Sequence, residues 1–163
     1  MGVVLGIDFG EKRVGVAVSD PDGLLAFPLA LLDGSEERAL LDAIRSLVSE
    51  RAAERVVVGL PRLLDGSVGE MARRAERFAG LLRDVLPVPV ETWDERLTSA
   101  QAERVLRVAD GREGEKGNRP RRRAAGRRPA ESKEAKGRID RVAAALILQS
   151  YLDRRRSGRP EEE

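Results

Sequence analysis

The sequence contains no histidine and no cysteine among its 163 residues, and these two absences exclude several kinds of chemistry. Without histidine there is no imidazole base, no Ser-His-Asp triad and no histidine-bound metal. Without cysteine there is no disulfide, no thiol nucleophile and no zinc or iron–sulfur site built on thiolates. Catalysis by this chain would therefore depend on carboxylates, Lys and Arg side chains, hydroxyls and backbone groups.

Aromatic residues and long apolar runs are also scarce. Aromatics make up 3% of the chain, which leaves little for base stacking, so contacts with a nucleic acid would fall on its backbone and shape. No apolar run approaches the ~20 residues of a membrane-spanning helix. The first ten residues lack the charged and apolar regions of a secretory signal. These features predict a cytoplasmic protein with no membrane partner.

Charge is abundant but unevenly distributed. The chain has 30 Lys and Arg residues and 28 Asp and Glu residues. Residues 111–137 hold ten of the basic and four of the acidic residues, which leaves 20 basic and 24 acidic residues for the remainder. This basic segment has no large apolar side chain, so it cannot bury enough surface to order itself and is predicted to be a mobile loop. Arg-rich loops on acidic proteins commonly contact phosphates; the alternative is a solvated insertion without function.

The pattern of apolar residues predicts an α/β fold in the order βββαβαβα. Continuous or alternating apolar runs predict strands, and apolar residues at helical spacing predict helices. Strands are predicted over residues 3–8, 13–19, 24–32, 55–59 and 88–93, and helices from Ser35 to Val48, over 67–85, from Thr98 onward and over 139–152. Three antiparallel strands followed by alternating helices and strands favour a mixed five-stranded sheet with helices on its faces. We predict one domain over residues 1–153 and a charged tail over 154–163.

Three carboxylates occupy positions in the sequence where an active site is expected. Asp8 ends the first strand, Glu95 follows the fifth, and Asp140 lies in the first turn of the last helix. Each alone has an ordinary explanation: a turn, a loop acid and a favourable helix N-terminus. The carboxyl ends of central strands meet at one rim, however, and ligands bind there. Three carboxylates so close would repel one another unless cations neutralise them.

The absence of histidine and cysteine narrows the choice of cation. Oxygen-only ligation favours Mg²⁺ or Mn²⁺. Two such ions about 3.5–4 Å apart activate a water and stabilise the leaving oxygen of a phosphodiester. The three acids therefore predict metal-dependent phosphodiester hydrolysis.

Four sequence blocks carry a family resemblance. They are GIDFG at residues 6–10 with its continuation to 20, VGLP at 58–61 with DGS at 65–67, DERLTS at 94–99, and KGRID at 136–140 with its continuation to 148. Together they resemble the YqgF-type pre-16S rRNA nucleases. The resemblance implies an RNase H-like fold related to RuvC-type Holliday-junction resolvases, and Asp8, Glu95 and Asp140 as the catalytic, metal-binding acids. It also implies a role in processing precursor 16S rRNA ends during ribosome biogenesis.

Basic residues near these blocks are predicted to contact the nucleic acid. They are Lys12, Arg121, Arg122, Arg123, Arg127, Arg128, Lys136 and Arg138. Two other functions stay open. The same acids would serve a resolvase that cuts branched DNA, and a non-catalytic nucleic-acid-binding module would use the acids only structurally. Loss of cleavage without loss of fold on changing Asp8 would exclude the module.

Overall fold

Five strands form one mixed sheet with helices on both faces. A computed structural model describes residues 2–61, 69–94 and 133–158, with the backbone alone for residues 133–141. The strands are β1 (Val3–Phe9), β2 (Arg13–Ser19), β3 (Ala26–Asp33), β4 (Ala53–Leu60) and β5 (Val90–Asp94). The helices in these ranges are α1 (Glu37–Glu50), α2 (Glu70–Val85) and α3 (Lys133–Ser157).

The strand order β3-β2-β1-β4-β5 places β1 at the centre of the sheet. Strand β1 runs antiparallel to β2 and parallel to β4, and β4 runs parallel to β5. The carboxyl ends of β1, β4 and β5 therefore lie at one rim. Asp8 is opposite Gly59 of β4, which is in turn opposite Trp93 of β5. The predicted mixed five-stranded α/β sheet is confirmed.

Strand β1 is buried on both faces, which explains its nearly continuous apolar sequence. Leu5 and Ile7 belong to the core cluster that α1 and α2 form with one face of the sheet. Val4 belongs to a second cluster on the opposite face, which α3 covers with Leu148 and neighbouring residues. Because side chains alternate along a strand, Gly6 and Asp8 share the α3 face with Val4.

Helix α3 is longer than its apolar stripe predicts. It begins at Lys133 and ends at Ser157, whereas the predicted helix covers residues 139–152. The last five residues of the predicted loop, 133–137, and the first four of the predicted tail are therefore helical. Lys, Glu, Ala and Arg favour helix without contributing to an apolar stripe, which is why the stripe underestimates the length.

Some other boundaries differ from the prediction, and some predicted elements lie outside the described ranges. Strand β5 begins at Val90 rather than residue 88, since Pro89 has no N–H to donate to a neighbouring strand. The helix predicted from Thr98 and residues 111–132 of the basic segment are outside the described part of the chain. Within residues 2–61, 69–94 and 133–158, no helix has the length and apolarity needed to cross a bilayer.

Candidate active site

Asp8 lies half-buried near the end of β1, between two residues that lack side chains. Its partner on β2 is Gly15 and its partner on β4 is Gly59. Directly opposite residues on adjacent strands are normally the nearest side-chain neighbours on a sheet face. On the face covered by α3, neither neighbouring strand therefore places a side chain directly beside Asp8.

Helix α3 runs antiparallel to β1 across this face. Near the start of β1, Gly2 and Val4 line a small cavity together with Arg155. Further along, a Cβ atom added at Gly6 would lie 2.7 Å from Leu148 Cβ and 3.3 Å from the carbonyl oxygen of Ala144. The amino-terminal half of α3 therefore lies toward the end of β1, where Asp8 stands.

This packing brings the backbone at Asp140 to the level of Asp8. From Gly6 to Asp8 the strand advances by about 6.6 Å, at about 3.3 Å per residue. Four residues of helix cover about 6 Å, at about 1.5 Å per residue. Four residues before Ala144, which packs beside Gly6, is Asp140. The structure thus brings Asp8 and the helical turn that carries Asp140 to the same rim.

Glu95 follows β5 directly and lies outside the described residues. Along β5, the side chains of Glu91 and Trp93 contact Tyr151 of α3. Of the three predicted acids, only Asp8 has a described side chain. Among all residues with described side chains, no group of three or more acids could hold a metal ion. The three-acid site itself stays a prediction.

A partly buried network joins α3 to β4 and β5. The Tyr151 hydroxyl donates to Glu91 Oε2 at 2.5 Å, and Glu91 Oε1 is paired with Arg55 of β4. Trp93 Nε1 donates to Ser150 Oγ at 3.3 Å, and the Trp93 and Tyr151 rings meet edge to face at 5.6 Å. Burial, reinforced by the hydrogen bond to Glu91 and its charge, raises the pKa of Tyr151 above its ordinary value. The network holds the carboxyl-terminal half of α3 against the strand that leads to Glu95.

The predicted nucleic-acid contacts are only partly described. Lys12 is exposed in the turn between β1 and β2 and lines a surface cleft with residues of β3 and Ser35. Lys136 and Arg138 belong to the amino-terminal part of α3, where the backbone is described. The arginines of the basic segment lie outside the described ranges: Arg121, Arg122, Arg123, Arg127 and Arg128.

Sequence reasoning missed two features of the structure: the glycines beside Asp8 and the network around Tyr151. A glycine inside a strand often marks close approach of another backbone or a ligand, so Gly6, Gly15 and Gly59 carried a signal. That signal can be used only when the strands that flank β1 are known. The Tyr151 network had no sequence signal, because its members come from β4, β5 and α3.

Comparison with known proteins assigns the family. The family described as RuvX, Holliday junction resolvase, matches residues 2–154. The chain belongs to the RuvX family. A protein of Chloroflexus aurantiacus named "Putative pre-16S rRNA nuclease" is 44% identical over 156 residues, covering 95% of this chain and 89% of that protein. A protein of the same name from Desulforudis audaxviator is 38% identical over 156 residues, covering 96% and 97%.

The RuvX chain also has a structural neighbour among the resolvases. RuvC of Thermus thermophilus, solved with a Holliday junction substrate, superposes with a TM-score of 0.56 at 17% identity. The superposition covers 97% of this chain and 98% of RuvC. The predicted resemblance to the YqgF-type nucleases and the RNase H-like fold are both confirmed.

The donor chemistry of this RuvX rim suits a hard divalent cation. The chain offers no imidazole or thiolate anywhere, so oxygen atoms are the available ligands, as Mg²⁺ and Mn²⁺ prefer. The residues opposite Asp8 on the two neighbouring strands, Gly15 and Gly59, add no competing side-chain donor. The residues present therefore fit a divalent metal.

Proposed function

We propose that this RuvX-family chain is a divalent-metal-dependent nuclease that hydrolyses phosphodiester bonds in processing the ends of precursor 16S rRNA. The observation that carries the proposal is Asp8, which stands between two glycines at the rim that the amino-terminal half of α3 approaches. The names of relatives at 38–44% identity support the RNA substrate.

The proposed metal ligands are Asp8, Glu95 and Asp140. Bound there, Mg²⁺ or Mn²⁺ would supply an activated water and neutralise the charge that develops on the leaving oxygen. In this proposal the protein holds three carboxylates, from parts of the chain far apart in sequence, close enough together to bind the same ions. Asp8 is anchored by the central strand, and Asp140 by a helix packed on that strand.

Basic residues would offset the repulsion between these acids and a polyanion. Lys12 is exposed at the rim, in the turn that follows β1. The arginines at 121–123, 127 and 128 form the densest positive cluster of the sequence. Lys and Arg side chains commonly donate to phosphate oxygens, which are the same at every nucleotide, so we expect contacts that do not depend on base sequence.

The first test replaces Asp8 by Asn, which keeps the size and removes the charge. Asp8→Asn should abolish Mg²⁺- or Mn²⁺-dependent cleavage while metal-free stability stays equal or rises, because one source of repulsion is gone. The matched control is Asp42→Asn, the same change at an exposed position of α1, which should cleave like wild type. Near-normal turnover by Asp8→Asn would refute the metal site. A large loss of metal-free stability would indicate a structural role for Asp8.

A branched-DNA resolvase is the second candidate. The description of the matching family and the RuvC complex with a Holliday junction favour it. Cleavage should therefore be assayed in parallel on precursor rRNA ends, single strands and four-way DNA junctions. Preferential cutting of rRNA ends supports the proposal, whereas preferential cutting of junctions supports the resolvase. Binding without cleavage of any substrate would indicate a non-catalytic module.

A further inference from the structure

We infer that Gly6 is a positioning residue: its missing side chain sets the separation of β1 and α3, and through it the separation of Asp8 and Asp140. This inference rests on the proposed function, because it assigns Gly6 a role in assembling the proposed metal site. The residue itself touches neither the metal nor the substrate.

The surroundings of Gly6 leave no room for a methyl group. An added Cβ would lie 2.7 Å from Leu148 Cβ, 3.3 Å from the Ala144 carbonyl oxygen and 3.4 Å from Leu148 Cγ. Leu148 is fully buried, and its Cβ is fixed to the helix backbone, so a change of rotamer cannot relieve the clash. A side chain at residue 6 would therefore displace α3 from β1.

The displacement would be largest where Asp140 lies. The carboxyl-terminal half of α3 is hydrogen-bonded to the region where β3 begins and to β5, the two edge strands of the sheet. Gln149 donates to the Leu24 carbonyl oxygen at 2.9 Å and accepts from the Ala26 N–H at 2.9 Å, and Tyr151 donates to Glu91. With Gln149 and Tyr151 held, pressure on Leu148 and Ala144 would tilt outward the part of α3 that precedes them.

Gly80 provides a matched control for the same substitution. A Cβ added there meets no atom within 4 Å, and the residue lies inside α2. Gly80→Ala should therefore preserve the sheet and α3, and raise helix stability slightly.

The experiment compares Gly6→Ala, Gly80→Ala and Asp8→Asn. Mn²⁺ affinity is measured by calorimetry without substrate, fold by circular dichroism, and cleavage as separate kcat and KM values. Gly6→Ala should lower Mn²⁺ affinity by roughly 10–100-fold, the usual effect of disturbing residues that orient metal ligands. It should also lower kcat by more than it raises KM, because Lys136 and Arg138 are the only predicted nucleic-acid contacts that belong to α3. Gly80→Ala should match wild type in every readout.

A second variant keeps the test decisive if Gly6→Ala does not fold. Leu148→Ile keeps the side-chain volume but moves a branch to the Cβ atom that faces Gly6, a change cores usually tolerate at under about 1.5 kcal/mol. It should weaken Mn²⁺ binding in the same direction, to a smaller degree. If the folded variants at residues 6 and 148 bind Mn²⁺ like wild type while Asp8→Asn does not, the positioning role is refuted and the proposed function stands. If Asp8→Asn itself binds Mn²⁺ and cleaves normally, the proposed function fails.

Discussion

Asp8 and Gly6 illustrate how much of this site depends on positions where glycine provides no side chain. Two glycines flank Asp8 across the sheet, and α3 lies so close to Gly6 that an added Cβ atom would be 2.7 Å from Leu148 Cβ. Asp8 could be selected from sequence because it ends an apolar strand and forms, with Glu95 and Asp140, a set of acids expected at one rim. The role of its glycine neighbours could not, since it depends on which residues are paired across strands.

The first prediction at the scale of single residues concerns Ser19. It is 5% exposed, its hydroxyl oxygen accepts from the Val4 N–H at 2.8 Å, and it donates to the Asp20 carbonyl oxygen at 2.9 Å. Ser19→Ala would leave a buried N–H of the central strand without this acceptor. We expect a loss of about 1–3 kcal/mol in the free energy of unfolding, measured with urea.

The control for this prediction is a serine at the surface. Ser157 is exposed at the end of α3, where its hydroxyl donates to the Asp153 carbonyl oxygen at 3.0 Å. Ser157→Ala should change stability by no more than about 0.5 kcal/mol. Equal losses for the two variants would mean that the Ser19–Val4 hydrogen bond does not stabilise the sheet.

At the scale of elements, α3 combines an apolar middle with two charged ends. Its middle packs on β1 through buried residues such as Ala144 and Leu148, and its last turn carries three arginines. The apolar middle could be predicted from its spacing. The ends could not, because an apolar stripe reports burial and not the helix propensity of charged residues.

The basic segment before α3 carries the second prediction. Replacing Arg121, Arg122, Arg123, Arg127 and Arg128 by Ser should weaken binding to all nucleic-acid sequences alike. For every phosphate that the variant no longer neutralises, the slope of log affinity against log salt should become shallower by roughly 0.7–0.9. Mn²⁺ binding and the thermal midpoint should hardly change. The measurement is affinity at several salt concentrations.

Arginines at the far end of α3 supply the comparison for that segment. Arg154 and Arg156 are exposed beyond the half of the helix that approaches the proposed site, so replacing both by Ser should leave the salt slope unchanged. If the five-fold variant also keeps the wild-type slope, the segment is a solvated insertion rather than a phosphate-gripping arm.

At the scale of the whole molecule, the proposed site draws its three acids from parts of the chain that are far apart in sequence. Groups that hold the same ions act as one unit, so their effects are not additive. We therefore expect Glu95→Ala and Asp140→Ala each to weaken Mn²⁺ binding strongly in calorimetry. The double variant should be little worse than either single one.

A distant acid tests whether this coupling is specific. Glu95→Ala combined with Asp42→Ala, an exposed change on α1, should show additive effects, with the second substitution contributing almost nothing to Mn²⁺ affinity. Independent, additive losses for Glu95 and Asp140 would mean that the two acids do not share a site.

The sequence by itself determined the order of the described strands and helices, the mixed sheet and the restriction to oxygen ligands, because these follow from local apolar spacing and from residue types that are absent. Tertiary structure decided the rest. Pairing β1 with β2 and β4 put glycines on both sides of Asp8, and antiparallel packing of α3 on β1 brought Asp140 to the level of Asp8. Both depend on contacts between residues distant in the chain, which local spacing does not encode.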